Sequence, residues 1–166
     1  MSRILGIDPG SVITGYGVIE TEGGASLCEA GCLRLPDAPF PERLARIFDG
    51  LRAVIREWSP EEMAVEDVFV SRNPASALKL GQARGAAICA GAAAGLPIAE
   101  YSPAKIKQAI VGRGAADKRQ VQHMVRMLLN VREPLQADAA DAVAVALCHL
   151  HHRQTATRMA ARGVSS

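Results

Sequence analysis

The sequence predicts an α/β fold with a five-stranded mixed sheet, three antiparallel strands followed by two parallel ones, and helices on both faces. Short apolar runs alternate with longer segments of helical periodicity. Short turns separate the first runs, as between antiparallel neighbours, whereas whole helices separate the later ones, as parallel crossovers require. At 166 residues and 49% hydrophobic content, the chain is expected to bury a single core.

The first three strands are expected at residues 3–8, 15–21 and 25–34. The first is a nearly continuous apolar run, which is typical of a strand buried on both faces. Gly23 and Gly24 separate the second and third runs and favour a two-residue hairpin turn. These connections predict a central position for the first strand.

The fourth strand is predicted at residues 62–68, with one helix before it and one after it in the sequence. The first begins at Phe40, carries apolar residues at helical spacing and is broken at Ser59 and the proline after it. The second covers residues 74–94 and is unusually rich in Ala and Gly. Because glycine costs up to about 1 kcal/mol inside a helix, its glycines indicate close approach to another backbone, either the sheet or a second subunit.

The remaining elements are a short strand and three helices. The strand is predicted at residues 96–99. Ser102 can cap the helix that follows, and a proline at the first helical position is a second signal of the same helix start. Asp117 can begin the next helix, and residues 137–151 form the last one.

Charge is distributed unevenly along the chain, although the formal net charge is only +2. Residues 1–70 carry six basic and twelve acidic residues, whereas residues 101–132 carry seven basic residues and one acidic residue. Such a basic stretch is typical of a phosphate-backbone contact, and a solvated helix face without a partner is the simpler alternative. Residues 153–166 carry three arginines and little to bury, so a flexible basic tail is expected after a domain of residues 1–152.

The four cysteines show no spacing typical of a disulfide framework or a zinc site. They are expected to be buried, reduced thiols of a cytoplasmic protein. The sequence shows neither a signal peptide nor an apolar run long enough to cross a bilayer.

Four carboxylates are expected to converge on one point. Asp8 and Glu66 each end an apolar run, and the carboxyl ends of strands form the edge where open α/β sheets build their sites. Asp138 and Asp141 lie three residues apart at the start of the last helix, so they share one face. Alone, Asp8 could be a turn residue and Asp138 a helix cap, but together the four indicate a site.

Four carboxylates that converge on one point repel one another, so their negative charges must be compensated. Two unit charges ~4 Å apart repel by roughly 4 kcal/mol at an effective dielectric of about 20, so the groups must be protonated or neutralised by cations. Oxygen ligands favour Mg²⁺ or Mn²⁺, and a site of this kind suits two-metal hydrolysis of phosphodiesters. The sequence therefore predicts a metal-dependent nuclease.

Segments of this chain resemble, in the same order, the RuvC family of bacterial Holliday-junction resolvases. The likeness extends from residue 3 to about residue 150. It is carried by residues 4–17, 65–69, 76–85, 118–127 and 136–142.

The resemblance implies a ribonuclease-H-like nuclease domain, a homodimer and two Mg²⁺ ions per active site, with Mn²⁺ able to substitute. It also implies paired cutting of opposed strands in a four-way DNA junction during recombination and repair. A branch-migration motor of the RuvA and RuvB type is the implied partner. The carboxylates that match the family's catalytic and metal-binding residues are Asp8, Glu66, Asp138 and Asp141.

The resemblance also suggests DNA-binding residues. Phe69 matches an aromatic residue that is expected to stack on a base beside the cut, and Lys107 and Lys118 match residues expected to hold the scissile strand. The other residues predicted to bind DNA are Arg72, Lys79 and His123.

Other polar residues near these motifs are expected to have no role in the chemistry. Asp67 stands where the family has glutamine, and strand alternation predicts that it points away from Glu66. His149, His151 and His152 have no spacing typical of a metal site and are expected at the surface.

Three other classes of protein share part of this residue pattern. Actin-like sugar kinases and chaperone ATPases share the Asp-x-Gly turn, but they need two such domains and lack paired aspartates on a terminal helix. A non-catalytic junction-binding module would not require all four carboxylates. A related nuclease of the same fold, acting on other branched DNA or on structured RNA, is the closest alternative.

Overall fold

The computed structural model describes residues 2–67 and 72–163, and within them it contains a five-stranded mixed sheet. The strands are β1 (Arg3–Asp8), β2 (Ile13–Glu20), β3 (Ser26–Arg34), β4 (Glu62–Glu66) and β5 (Ile98–Tyr101). Strand β1 pairs antiparallel with β2 and parallel with β4, and it lies at the centre of the order β3-β2-β1-β4-β5. The predicted topology of three antiparallel and two parallel strands is therefore confirmed.

Helices cover both faces of the sheet, as predicted. The first two pack against one face, and the last three pack against the other. The helices are α1 (Phe40–Trp58), α2 (Pro74–Ala93), α3 (Pro103–Val111), α4 (Lys118–Leu128) and α5 (Ala137–Ala161).

The predicted helix starts are confirmed by their hydrogen bonds. The Ser102 side chain accepts a bond from the Lys105 amide at the start of α3. Asp117 and Gln120 form a capping box at the start of α4, in which each side chain accepts from the other's backbone amide. Backbone donors that would otherwise be orphaned are satisfied in both helices.

Strand β5 begins at Ile98, two residues later than predicted. The Leu96 amide donates to the Gly91 carbonyl at the end of α2, so this residue still closes the helix. Pro97 has no amide hydrogen and bonds to β4 only through its carbonyl, which accepts from the Met63 amide at 3.0 Å.

The prediction that the last helix ends near residue 151 is wrong, and the tail expected at 153–166 is helical as far as Ala161. Arg153 supplies the physical reason, because its guanidinium anchors this part of the helix to strand ends. It donates to Ser2 Oγ at 3.2 Å, to Thr21 Oγ1 at 2.9 Å and to the Glu62 carboxylate.

The expectation that His149 lies at the surface is also wrong. Its side chain is only 13% exposed and bridges the Tyr101 hydroxyl and the Glu62 carboxylate, each at 2.7 Å. Burial alone would raise the pKa of Glu62, but the bonds from His149 and Arg153 hold that pKa below its usual value. His149 follows the buried Val145 by one helical turn, which is the signal that could have predicted its burial.

Three glycines on β1 and β2 allow α5 to lie directly on the sheet. A Cβ atom on Gly15 would lie 2.0 Å from the Asp138 carbonyl oxygen, and one on Gly6 would lie 2.1 Å from the Ala142 carbonyl oxygen. On Gly17 it would lie 2.4 Å from a methyl group of the helix. The helix therefore approaches the strands backbone to backbone, which side chains at these positions would prevent.

The glycines of α2 lie in two different environments. Gly91 packs against the sheet, since a Cβ there would lie 2.7 Å from the Met63 sulfur. Among the described residues, and apart from the helix's own backbone, no heavy atom lies within 4 Å of a Cβ added at Gly81 or Gly85, so contact with the sheet does not account for these two glycines.

The four cysteines are free thiols, in agreement with the predicted reduced state. Burial was predicted for all of them, but only Cys148 is buried. Cys28 and Cys32 are half-buried on β3, and Cys89 is exposed on the outward side of α2. Within the described residues, no helix combines the length and apolar character needed to cross a membrane.

Candidate active site

Asp8 lies at the carboxyl end of β1, and the loop that follows it is fixed by a buried hydroxyl. Thr14 is completely buried, and its Oγ1 donates to the Gly10 carbonyl at 2.9 Å and accepts from the Gly10 amide at 3.3 Å. The role of Thr14 was not predicted from the sequence. Its position as the polar residue between the strand's apolar positions was the available signal.

Glu66 lies at the carboxyl end of β4, beside Asp8. The sheet register pairs Ile7 with Val65, so the next residue of each parallel strand leaves the sheet at the same edge. The carboxylate of Glu66 is hydrogen-bonded to that of Asp8. Convergence of these two strand-end residues therefore follows from the sheet itself.

Arg84 fixes the backbone at the end of β4, a role that sequence analysis missed. Its Nε donates to the Glu66 carbonyl at 3.4 Å, and its guanidinium pairs with Glu100 at 2.5 Å and with Asp67 at 3.5 Å. Arg84 is one of two charged residues in α2, which was the available signal. Asp67 thus pairs with Arg84, as suits its predicted place outside the carboxylate cluster.

The remaining two carboxylates come from the first turns of α5. The structure brings Asp8, Asp138 and Asp141 together so that one ligand oxygen from each lies within 4.8 Å of the others. Glu66 adjoins this group through its bond to Asp8. All four carboxylates singled out in the sequence therefore lie at one site.

The electrostatics of the cluster are unfavourable for four free carboxylates. Burial, the hydrogen bond to Glu66 and the neighbouring negative charges together raise the pKa of Asp8 to about 9. Burial is also the main reason why the pKa values of Glu66 and Asp141 lie above their usual ranges. The site consequently favours bound protons or cations.

Two lysines stand at the rim of the cleft that contains the cluster. Lys118 Nζ lies 3.4 Å from Asp141 Oδ2, while 77% of the lysine side chain remains exposed. The charge of Asp141 raises the pKa of Lys118. Lys107 lines the same cleft, whose other walls are apolar: Pro103, Ile106, Val121 and Ala144.

Three of the other predicted DNA-binding residues, Arg72, Lys79 and His123, do not line this cleft. Lys79 is exposed on α2, on the opposite side of the sheet, with its ammonium 6.0 Å from the centre of the Phe40 ring. Arg72 is exposed just before α2, and His123 is exposed on α4. Phe69 falls in residues 68–71, outside the described residues, so its role stays a prediction.

The donor set fits a divalent cation. Every ligand atom available from Asp8, Glu66, Asp138 and Asp141 is a carboxylate oxygen, the type that Mg²⁺ and Mn²⁺ prefer. A bound cation would also relieve the repulsion that raises the pKa of Asp8.

We expect Asp8→Asn to raise the melting temperature by a few degrees at pH 8 in EDTA. A carboxyl group whose pKa rises on folding from 3.8 to about 9 stabilises the fold below pH 3.8, and this contribution is lost as the pH rises toward 9. The difference between variant and wild type should therefore widen from pH 4 to pH 9 in thermal denaturation. Mn²⁺ should stabilise the wild type more than the variant.

The matched control is Asp49→Asn, which removes the same charge from an exposed position on α1. It should follow the wild type at every pH. An Asp8→Asn protein that melts below the wild type at pH 8 would contradict this account of the cluster.

Comparison with known proteins gives consistent matches over almost the whole chain. Residues 4–149 match the family model described as crossover junction endodeoxyribonuclease RuvC. The crossover junction endodeoxyribonuclease RuvC of Methylococcus capsulatus is 60% identical over 159 residues, which cover 96% of each chain.

Solved structures agree. The Thermus thermophilus RuvC structure superposes with a TM-score of 0.86 at 37% identity, covering 93% of this chain and 97% of the other. The same organism's RuvC in complex with Holliday junction substrate gives a TM-score of 0.84 at 34% identity, covering 93% and 96%. The ribonuclease-H-like fold expected from the sequence is thereby confirmed, and this chain belongs to the RuvC family of crossover junction endodeoxyribonucleases.

Proposed function

We propose that this protein resolves Holliday junctions in DNA recombination and repair by metal-dependent hydrolysis of phosphodiesters on two opposed strands. The observation that carries the proposal is the convergence of Asp8, Asp138 and Asp141 within 4.8 Å, beside Glu66, in a RuvC-family chain. A relative at 34% identity is known in complex with a Holliday junction substrate.

The four carboxylates are proposed to hold two Mg²⁺ ions, with Mn²⁺ able to substitute. The chemistry that bound ions would supply is activation of a water nucleophile and stabilisation of the charge that develops on the phosphate. The chain itself contributes the orientation of the ligands. Thr14 and Arg84 fix the backbone around Asp8 and Glu66, and the apolar cleft walls limit access of bulk water.

Lys107 and Lys118 are proposed to position the scissile strand. Both line the cleft, and an ammonium group at its rim attracts a phosphate that the carboxylates alone would repel. Phe69, Arg72, Lys79 and His123 remain proposed DNA contacts. If Phe69 stacks on a base, Phe69→Trp should retain junction cleavage and Phe69→Ala should lose it.

We expect Glu66→Gln and Asp141→Asn to abolish cleavage of a synthetic four-way junction in Mg²⁺ while junction binding stays near the wild-type level. Each change removes a proposed ligand but leaves the phosphate contacts in place. Gel assays of cleavage and of binding on the same preparations provide the measurement, with Asp49→Asn as the charge-matched control. Cutting at the wild-type rate by either variant would remove that residue from the site.

Substrate choice separates the proposal from its closest alternative. The wild type should cut the four-way junction in preference to a duplex, a fork or an RNA–DNA hybrid. Faster cleavage of any of the other three would favour a related nuclease of the same fold.

Two opposed cuts call for two identical sites, so we propose a two-fold symmetric homodimer. The outward face of α2 supports this proposal, because Leu78 is 69% exposed there and Gly81 and Gly85 leave room for a close neighbour. Sedimentation should show a dimer, and a stable monomer with and without junction DNA would contradict it.

We further propose a cytoplasmic location, which suits the free thiols, and a motor partner of the RuvA and RuvB type.

A further inference from the structure

The outward side of α4 carries a basic groove separate from the catalytic cleft. Val121 and Val125 face the core, and helical geometry turns Arg119, His123 and Arg126 to another side of the helix. We call the concave surface along this side the α4 groove. Its lining residues are Arg119, Gln122, His123, Arg126, Pro134, Leu135 and Ala140.

The groove continues along the helix. A second hollow shares His123 and Arg126 with the first and extends to Asn130 and Val131. The spacing from Arg119 to Arg126 is seven residues, or about 10 Å at 1.5 Å per residue.

Little negative charge opposes these cations. Among the described residues, Arg119 makes no ion pair or hydrogen bond, and the nearby Asp117 carboxylate is engaged in the helix cap. The Arg126 guanidinium donates to the Arg132 carbonyl, and its buried Nε has no hydrogen-bond partner in the part of the chain that the structure describes. Glu133 is exposed in the following loop and does not line the groove. The groove thus presents positive charge suited to an anionic ligand.

The first turn of α4 joins the groove to the catalytic cleft. Lys118 and Val121 line the cleft, while Arg119 and Gln122 line the groove on the other side of the same turn. A strand held at Lys118 can therefore pass directly over the turn to Arg119. A protein ligand would not need this continuity, whereas a nucleic-acid strand that enters the cleft does.

We propose that the α4 groove binds the sugar–phosphate backbone of a junction arm beyond the scissile phosphate, with Arg119 as the phosphate ligand and Arg126 adding positive charge beside it. The inference rests on the proposed function and adds a second contact region to it. Backbone contacts of this kind position DNA without reading its sequence. The groove therefore contributes affinity and orientation for junctions of any sequence.

The test measures the affinity of the full-length protein for a four-way junction in EDTA at several salt concentrations. Arg119→Gln should lower the slope of log affinity against log salt by about 1, and binding at 0.1 M salt should weaken about 5- to 10-fold. Arg119→Lys keeps the charge and should retain most of the slope. Arg158→Gln removes the same charge from the exposed last turn of α5 and should match the wild type.

The outcomes separate this proposal from the proposed function. If the wild type cuts junctions but Arg119→Gln and Arg158→Gln show equal slopes, the groove proposal is overturned and the function stands. An acidic protein surface would then be the better occupant. If the wild type neither prefers nor cuts four-way junctions, the proposed function fails and the groove proposal falls with it. Circular dichroism verifies that each variant is folded.

Discussion

The site depends on one packing constraint, which is the direct contact between the backbone of α5 and the backbones of β1 and β2. Gly15 and Gly6 leave no space between strand and helix, since a Cβ on either would lie about 2 Å from a helix carbonyl oxygen. The sheet pairs Gly15 with Asp8, and Gly15 also faces the Asp138 backbone. The helix carboxylates can therefore reach the strand carboxylates only because these sheet positions have no side chains.

This close approach has an electrostatic cost. It crowds four carboxylates into a half-buried cleft, where the pKa of Asp8 rises to about 9. Contacts elsewhere along α5 help to hold the helix in place, since Arg153 and His149 both bind the Glu62 carboxylate near the opposite end of the strands. Repulsion among the carboxylates at the start of α5 is thus opposed by the attraction of His149 and Arg153 to Glu62 farther along the helix.

Sequence patterns predicted the parts of the structure that depend on local chemistry. Apolar runs, turn glycines and the caps Ser102 and Asp117 act over a few residues, so the strand order and helix starts could be predicted. Asp8 and Glu66 were found because each ends its strand. Long-range partners carry no such signal, which is why the polar contacts of Arg84 and Arg153, 18 and 91 residues away in sequence, were missed.

The most direct test of the packing constraint is Mn²⁺ binding to Gly15→Ala, measured by titration calorimetry on protein shown to be folded by near-UV circular dichroism. Val54→Ala is the control, because it destabilises the core on the other face of the sheet without moving the carboxylates. We expect at least about tenfold weaker Mn²⁺ binding for Gly15→Ala and wild-type binding for Val54→Ala, since a Cβ at Gly15 must displace the start of α5. Wild-type affinity in Gly15→Ala would contradict the packing constraint.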